Sequence, residues 1–518
     1  MKRVICAVLA VSICSITHAK YSGGSGEPNA PYQIANVADL MALANDVNDY
    51  NKCFIMIADI NLDPCLPGNP VFTTAVIARG TVDITGYGFV GSAFSGDFDG
   101  AGHKILNLTI DVNVNSNDFV GLFGDVNGGD IKNLGLENVK IISSGNFSSF
   151  CGGLAGRLEN GSIEYCYSTG NISAGNFPWQ IGGLVGENTG TATISNSHST
   201  CSVTDTSDSS ELGVLAGRNL GVIIDCFSSG TVTSGNFSYD FGGLVGYNGS
   251  SGSITDSYTK SNVIGGDYSW NLGGLAGSNS GVINGCFSKG SVTGGVESYA
   301  IGGIAGTMQG GSISKCYSTS DIYGGQDLVY GARHLGGLVG FVDMFGGDIS
   351  NCYSIGNVTG AVNVGGLVGE TFSGAISNCY SAGEVNGTYN VGGFLGSQSD
   401  GTISYSFFLI TAGPDNGYAQ PLTDGEMKQT INFLLAGWDL ITVWSICEGV
   451  SYPKLIQLFI AGDFDNDIDV DFTDFALMGQ KWRQADSTLY CGGTDLTGDE
   501  WVDLDDLDAL LENWLDAQ

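Results

Sequence analysis

The chain has 518 residues, of which 18 are basic and 53 acidic, for a formal net charge of −35. So acidic a surface excludes nucleic-acid binding by counter-ion release and suits calcium or a soluble extracellular life. With 82 glycines and 9 prolines, the composition fits turn-rich coils and excludes collagen and proline linkers.

Met1–Ala19 reads as a secretory signal peptide. Lys2 and Arg3 give the basic start, Val4–Ile16 is an apolar core too short to span a bilayer, and Thr17-His18-Ala19 offers small residues for cleavage. The mature chain is expected to begin at Lys20. Cys14 follows Ile13, too bulky to precede a lipidated cysteine. No later apolar run reaches 18 residues, so no membrane span is expected. Residues 20–118 read as an N-terminal cap together with the first strands of a solenoid. Val37–Ala44 has helical spacing with Asn36 as N-cap. Phe54–Ile60 and Val71–Ile77 read as strands, and Phe94–Ile110 leads into the first coil. Cys53 and Cys65 could form a disulfide in an exported chain.

Residues 119–410 are a repeat. The phrase IGGLVG at Ile181–Gly186 is one of ten close or looser copies, closing at glycines 124, 156, 186, 217, 246, 277, 306, 340, 369 and 396. Each copy continues as Gly-x-Ile-x-x-Cys-Tyr-Ser-x-Gly-x-Val, for example Gly161–Ile172 and Gly347–Val358. The apolar runs are short, β-branched and bounded by Gly, Ser and Asn, with no helical period. About three short strands per unit predict an all-β fold, a parallel β-solenoid (β-helix) of about ten coils. At the spacing of paired strands the rod would be roughly 45–50 Å long.

Stacking turns equal positions into columns. Three residues after the repeat isoleucine stand Leu134, Cys166, Ser197, Cys226, Ser257, Cys286, Cys316, Cys352, Cys379 and Ser406, mostly small, as a narrow interior or tight corner requires. Next come Tyr167, His198, Phe227, Tyr258, Phe287, Tyr317, Tyr353, Tyr380 and Phe407, an aromatic stack. Strict alternation places the cysteines inside and the rings outside, unless a bulge at Ser350-Asn351 reverses it. Such a stack reads as packing before ligand. Asn188, Asn219, Asn248 and Asn279 predict an amide ladder. Arg157, Glu187 and Arg218 alternate in sign on adjacent coils. The cysteine column reads as buried thiols.

The repeat wording resembles the GLUG-motif family, whose copies occur in bacterial surface proteins, including filamentous adhesins and zinc-dependent IgA-specific proteases. The resemblance implies an extracellular or cell-surface scaffold; fold alone does not fix function. The zinc site of those proteases, His-Glu-x-x-His, is not formed by His18, His103, His198 or His334. No Gly-x-Ser-x-Gly elbow or phosphate loop is present. Arg333-His334, with Asp343 and Asp348 nearby, is a candidate catalytic cluster in the longest insert between motifs, and it reads as a polar loop.

Residues 411–460 break the period, and Trp438, Trp444 and Tyr452 mark a C-terminal cap. Residues 461–518 carry 16 acidic side chains against Lys481 and Arg483. Asp463, Asp465, Asp467, Asp469, Asp471 and Asp474 stand at calcium-loop spacing, as do Asp495, Thr497, Asp499, Trp501 (through its carbonyl), Asp503 and Asp506. Each loop runs into an amphipathic stretch, Phe472–Trp482 and Leu504–Leu515. The pair resembles a type I dockerin, which implies a small all-α module, Ca2+ and a cohesin-like or cell-envelope partner. Ile468 and Glu500 replace the usual glycine, and Phe472-Thr473 and Leu504-Asp505 replace the hydroxyl pair that often recognises cohesin.

These readings converge on a secreted, non-catalytic β-solenoid that presents an adhesive or glycan-binding surface to a polysaccharide or host cell, with no catalytic residues assigned. A polysaccharide-degrading hydrolase or lyase on the same scaffold, and a structural spacer, are the alternatives.

Overall fold

In the computed structural model the described residues are 20–83, 88–112, 119–143, 149–175, 179–325, 331–456, 470, 472–482, 502, 504, 506, 507, 510 and 511. The expected signal peptide lies outside them. The described residues between Tyr32 and Leu422 form a parallel β-solenoid whose coils stack in register, Ile163 on Ile194 on Ile223 on Ile254. From Trp179 to Asn386 each coil supplies five short strands, not three. In one coil they are Trp179–Gly182, Val185–Thr189, Thr193–Ser195, His198–Ser199 and Ser202–Thr204. The extra positions arise because the Gly-Gly pair and the Cys-Tyr-Ser corner each divide a run into two strands.

Coiling starts before the first glycine motif. Tyr32–Ile34, Cys53–Met56 and Asp97–Asp99 are the first three rungs of the isoleucine ladder, which has 13 rungs and ends at Thr402–Ser404. The helix Val37–Ala44 forms as expected, with the Asn36 side chain accepting from the Asp39 amide. It buries Leu40 and Leu43 at the N-terminal end. The Val71–Ile77 run makes only single bridges, Phe72 to Ile110 and Ile77 to Phe123. Cys53 and Cys65 are unbonded, and the Cys53 thiol instead donates to Asp97 at 3.3 Å.

The glycine motif has a steric cause. A Cβ on Gly217 would lie 2.4 Å from the Ile181 nitrogen, and one on Gly277 would lie 2.4 Å from the Asp240 carbonyl carbon. The closing glycine of each coil thus presses against the backbone of the preceding coil's Gly-Gly strand, where no side chain fits. The Cys-Tyr-Ser triplet is explained in the same way. Its serine points inward and donates to the second glycine's carbonyl, Ser168 to Gly183 at 2.8 Å and Ser228 to Gly243 at 2.7 Å.

Its cysteine sits at a buried corner that follows a left-handed residue, such as Asp225 or Asn351. The column side chain accepts from the amide one coil away, Cys166 N–H to Ser197 Oγ at 3.0 Å and Cys316 N–H to Cys352 Sγ at 3.4 Å. It donates to the carbonyl two residues back, at 3.1 Å for Cys316. Burial pushes the Cys166 and Cys226 thiols up to about 12, so they remain donors. No disulfide links the column.

The ring of each triplet points outward. From Tyr167 to Phe287 and on to Tyr380 the rings stack at 4.4–5.2 Å and within 14° of parallel. The segment after Leu422 then folds back along the rod and covers the C-terminal half of this stack. Met427, Phe433, Trp438 and Trp444 pack on Phe287, Tyr317, Tyr353, Tyr380 and Phe407. Tyr380 donates to the Pro453 carbonyl at 2.8 Å and the Trp438 indole to the Tyr405 carbonyl at 2.9 Å. The C-terminal cap is therefore mainly a flank cover. Cys447, within it, is disulfide-bonded.

The asparagine ladder forms: Asn188, Asn219 and Asn248 each donate to the next amide at 2.7–2.8 Å, fully buried. The charge alternation also forms and reaches one coil further. Arg157 pairs with Asp125 at 2.7 Å, and the rungs run Asp125, Arg157, Glu187, Arg218.

Candidate functional site

One residue before the apolar position of each Gly-Gly strand, the backbone is left-handed: Gln180, Glu211, Asp240, Asn271, Ala300, His334, Asn363 and Asn390, with φ between 52° and 63°. This bulge throws the side chain outward beside the column of Glu187, Arg218, Tyr247, Ser278, Thr307, Phe341 and Glu370. The result is a polar seam along the rod. Asp240 accepts from Asn271 Nδ2 at 2.9 Å and from the Ser278 hydroxyl. His334 Nδ1 lies 2.7 Å from Glu370, to which Asn363 also donates. The partner of His334 is thus Glu370, not Asp343 or Asp348. Arg218 sits 3.9 Å from Glu211 and 4.0 Å from Glu187. Burial pushes the Glu211 carboxyl up to about 7, partly offset by Arg218.

Two residues before the same apolar position runs a second column, Trp179, Ser210, Tyr239, Trp270, Tyr299 and Arg333, in register. Phe237 and Tyr268 flank it and stack on each other at 5.0 Å. Phe237, Tyr239, Tyr268 and Trp270, with Asp240, Asn271 and Gln309, line a groove of about 530 Å³ on the outer face. Trp270 is 53% exposed and Tyr239 43%. Rings, an amide pair and a carboxylate in an open cleft can hold a ligand with an apolar face and hydroxyl edges.

The Cys-Tyr-Ser rings do not reach this groove, which the column of rings in the sequence does not mark. Its signal was legible: Tyr239, Trp270 and Tyr299 share one offset from Phe241, Leu272 and Ile301. The Cys-Tyr-Ser stack itself is a poor platform, since its ring faces are covered by one another and by the cap.

Of the twelve expected calcium ligands, Asp463, Asp465, Asp467, Asp469, Asp471, Asp495, Thr497, Asp499, Trp501 and Asp503 lie outside the described residues. Asp474 and Asp506, the last ligand of each loop, are fully buried. Val470, Met478, Val502 and Leu510 form one apolar cluster there, with Leu477, Trp482 and Leu507 against it. Phe472–Lys481 is helical. Among the described residues no group of three His, Cys, Asp or Glu side chains is placed to hold a metal, and no helix is long and apolar enough to cross a membrane.

A profile of the GLUG motif matches residues 152–173, 178–204, 297–323, 331–359 and 360–386. The chain carries GLUG-motif repeats. These five copies fall within the ten rungs of the ladder that starts at Phe123–Asn127. Halomucin of Haloquadratum walsbyi (strain DSM 16790 / HBSQ001) is 32% identical over 166 residues, 32% of this chain. The chain spans only 2% of that protein's length. A crystal structure of an immunoglobulin A1 protease candidate from Bacteroides ovatus aligns over 84% of this chain and 95% of its own, at 17% identity and a TM-score of 0.27. That likeness is too low to bear on fold or function.

Proposed function

We propose that the chain is an exported surface protein whose GLUG solenoid is a rigid, non-catalytic glycan-binding rod. The observation that carries this is the ring-lined groove at Phe237, Tyr239, Tyr268 and Trp270: exposed aromatics gathered on neighbouring coils of a regular scaffold. Likeness to halomucin agrees with a surface location. Residues 461–518 would act as a dockerin-like module, holding Ca2+ through Asp463, Asp465, Asp467, Asp469, Asp471 and Asp474 and through the second loop from Asp495 to Asp506. The burial of Asp474 and Asp506 beside Val470 and Val502 supports paired loops, because the closing ligands would then share one core. This module would attach the rod to a cohesin-like or cell-envelope partner.

The test is co-sedimentation of the whole chain with polysaccharides, with and without a calcium chelator, with an assay for released sugar ends. Binding without release, insensitive to the chelator, is expected. Release would favour the degrading-enzyme reading, for which Glu211, raised to about 7, is the carboxyl to examine. The same chain titrated with calcium should gain helical signal; an unchanged spectrum would remove the module from the account.

A further inference from the structure

The ligand class of the groove can be narrowed; the argument rests on the glycan-binding reading. We propose that the groove takes an uncharged saccharide, seated on Tyr239 and Trp270 and hydrogen-bonded by Gln309, Asn271 and Asp240.

Ring faces decide where a sugar can sit. In the Cys-Tyr-Ser column each ring lies parallel to its neighbour, so solvent meets mainly edges. Tyr239 differs. The residue in register below it is Ser210, too small to cover a ring. Among the described residues Tyr239 stacks on no other ring, while Trp270 stacks on Tyr299 at 5.1 Å. Tyr239 therefore keeps an open face at the groove.

Polar chemistry supplies the edge contacts. The exposed Gln309 side chain makes no hydrogen bond among the described residues, leaving a donor and an acceptor. Asn271 uses one amide hydrogen on Asp240 and accepts from the Thr307 hydroxyl, which leaves its second hydrogen. Both bonds to Asp240 reach Oδ1, so Oδ2 remains to accept. Donor and acceptor groups beside an open ring match the hydroxyls and apolar face of a pyranose.

Charge and size exclude other occupants. No lysine or arginine lines the groove, its one carboxyl group is that of Asp240, and the chain carries −35. A polyanion would be repelled. A cleft of about 530 Å³ falls in the range of small-molecule sites, roughly 300–1,000 Å³, while a protein partner needs roughly 800 Å² per side.

The experiment is affinity electrophoresis and calorimetry of the whole chain against uncharged polymers (β-glucan, mannan, xylan) and anionic ones (polygalacturonate, alginate). Tyr239→Ala, Trp270→Ala and Gln309→Ala are compared with Trp179→Ala, an exposed ring outside the groove. The expected result is binding to an uncharged polymer, weakened about tenfold or more by either ring substitution, weakened less by Gln309→Ala, and unchanged by Trp179→Ala. Unchanged circular dichroism in the variants confirms folding. Preference for the anionic polymers, or an equal loss with Trp179→Ala, would overturn the inference and leave the glycan reading standing. Failure of the wild-type chain to bind any of them would overturn the glycan reading itself.

Discussion

Gly277→Ala tests the physical basis of the repeat. The added methyl would lie 2.4 Å from the Asp240 carbonyl carbon and the Phe241 nitrogen, and 2.7 Å from the Asp240 Cα. All three are backbone atoms of the preceding coil, held in a parallel ladder on both sides, so no side chain can swing away. Reaching an ordinary contact requires the two strands to part by about 1 Å, at a cost on the order of 3 kcal/mol, the upper part of the range for overpacking. Gly425→Ala is the matched control. It lies in the helix Asp424–Met427 with nothing within 4 Å of the new methyl, and should stabilise by about 0.5–1 kcal/mol. Urea unfolding followed by circular dichroism reads the total. Native-state hydrogen exchange reads the coils separately, since stacked repeats can open in parts. The loss should centre on residues 239–246 and 270–279. A Gly277→Ala protein within about 0.5 kcal/mol of wild type would refute the close-approach argument.

Trp444→Ala, at a fully buried ring against Tyr353 and Tyr380, should cost about 3–5 kcal/mol and expose the covered stack to a hydrophobic dye. Asn219→Ala removes the acceptor of Asn188 and the donor to Asn248, and should cost roughly 2–3 kcal/mol by urea midpoint. Cys316→Ser should be close to neutral, because serine already fills this corner at 197, 257 and 406, and among the described thiols Cys65 should react first with a thiol reagent. Burial raises Glu211 and Asp205 each to about 7. Both therefore favour the folded state when protonated. Their contribution is complete below about pH 4 and is lost as pH rises through 7, a decline that Glu211→Gln should flatten in urea midpoints taken across that window.

Much of the scaffold was legible because stacking repeats each side chain's environment once per coil. Gly-Gly, the small corner column, the ring column and the asparagine ladder all recur at fixed offsets, and each has one packing reason. The strand count per coil was harder to read. At the Cys-Tyr-Ser corner a left-handed residue such as Asn351 divides an apolar run without any constant residue type to mark it, since Tyr165, Asn196, Asp225 and Lys315 hold the same place in other coils. The groove escaped for a related reason: the rings of its column, Trp179, Tyr239, Trp270, Tyr299 and Tyr389, are interrupted by Ser210, Arg333 and Val362. The flank cover escaped because Trp438 and Trp444 find their partners through the fold, far from the coils they follow in sequence.

The most direct test is hydroxyl-radical footprinting of the whole chain with and without its best-binding polysaccharide. The account predicts protection of Phe237, Tyr239, Tyr268 and Trp270, with Trp179, Tyr389 and Tyr405 labelled equally in both states. Protection confined to those three, or no change at the groove while the polysaccharide is bound, would contradict it.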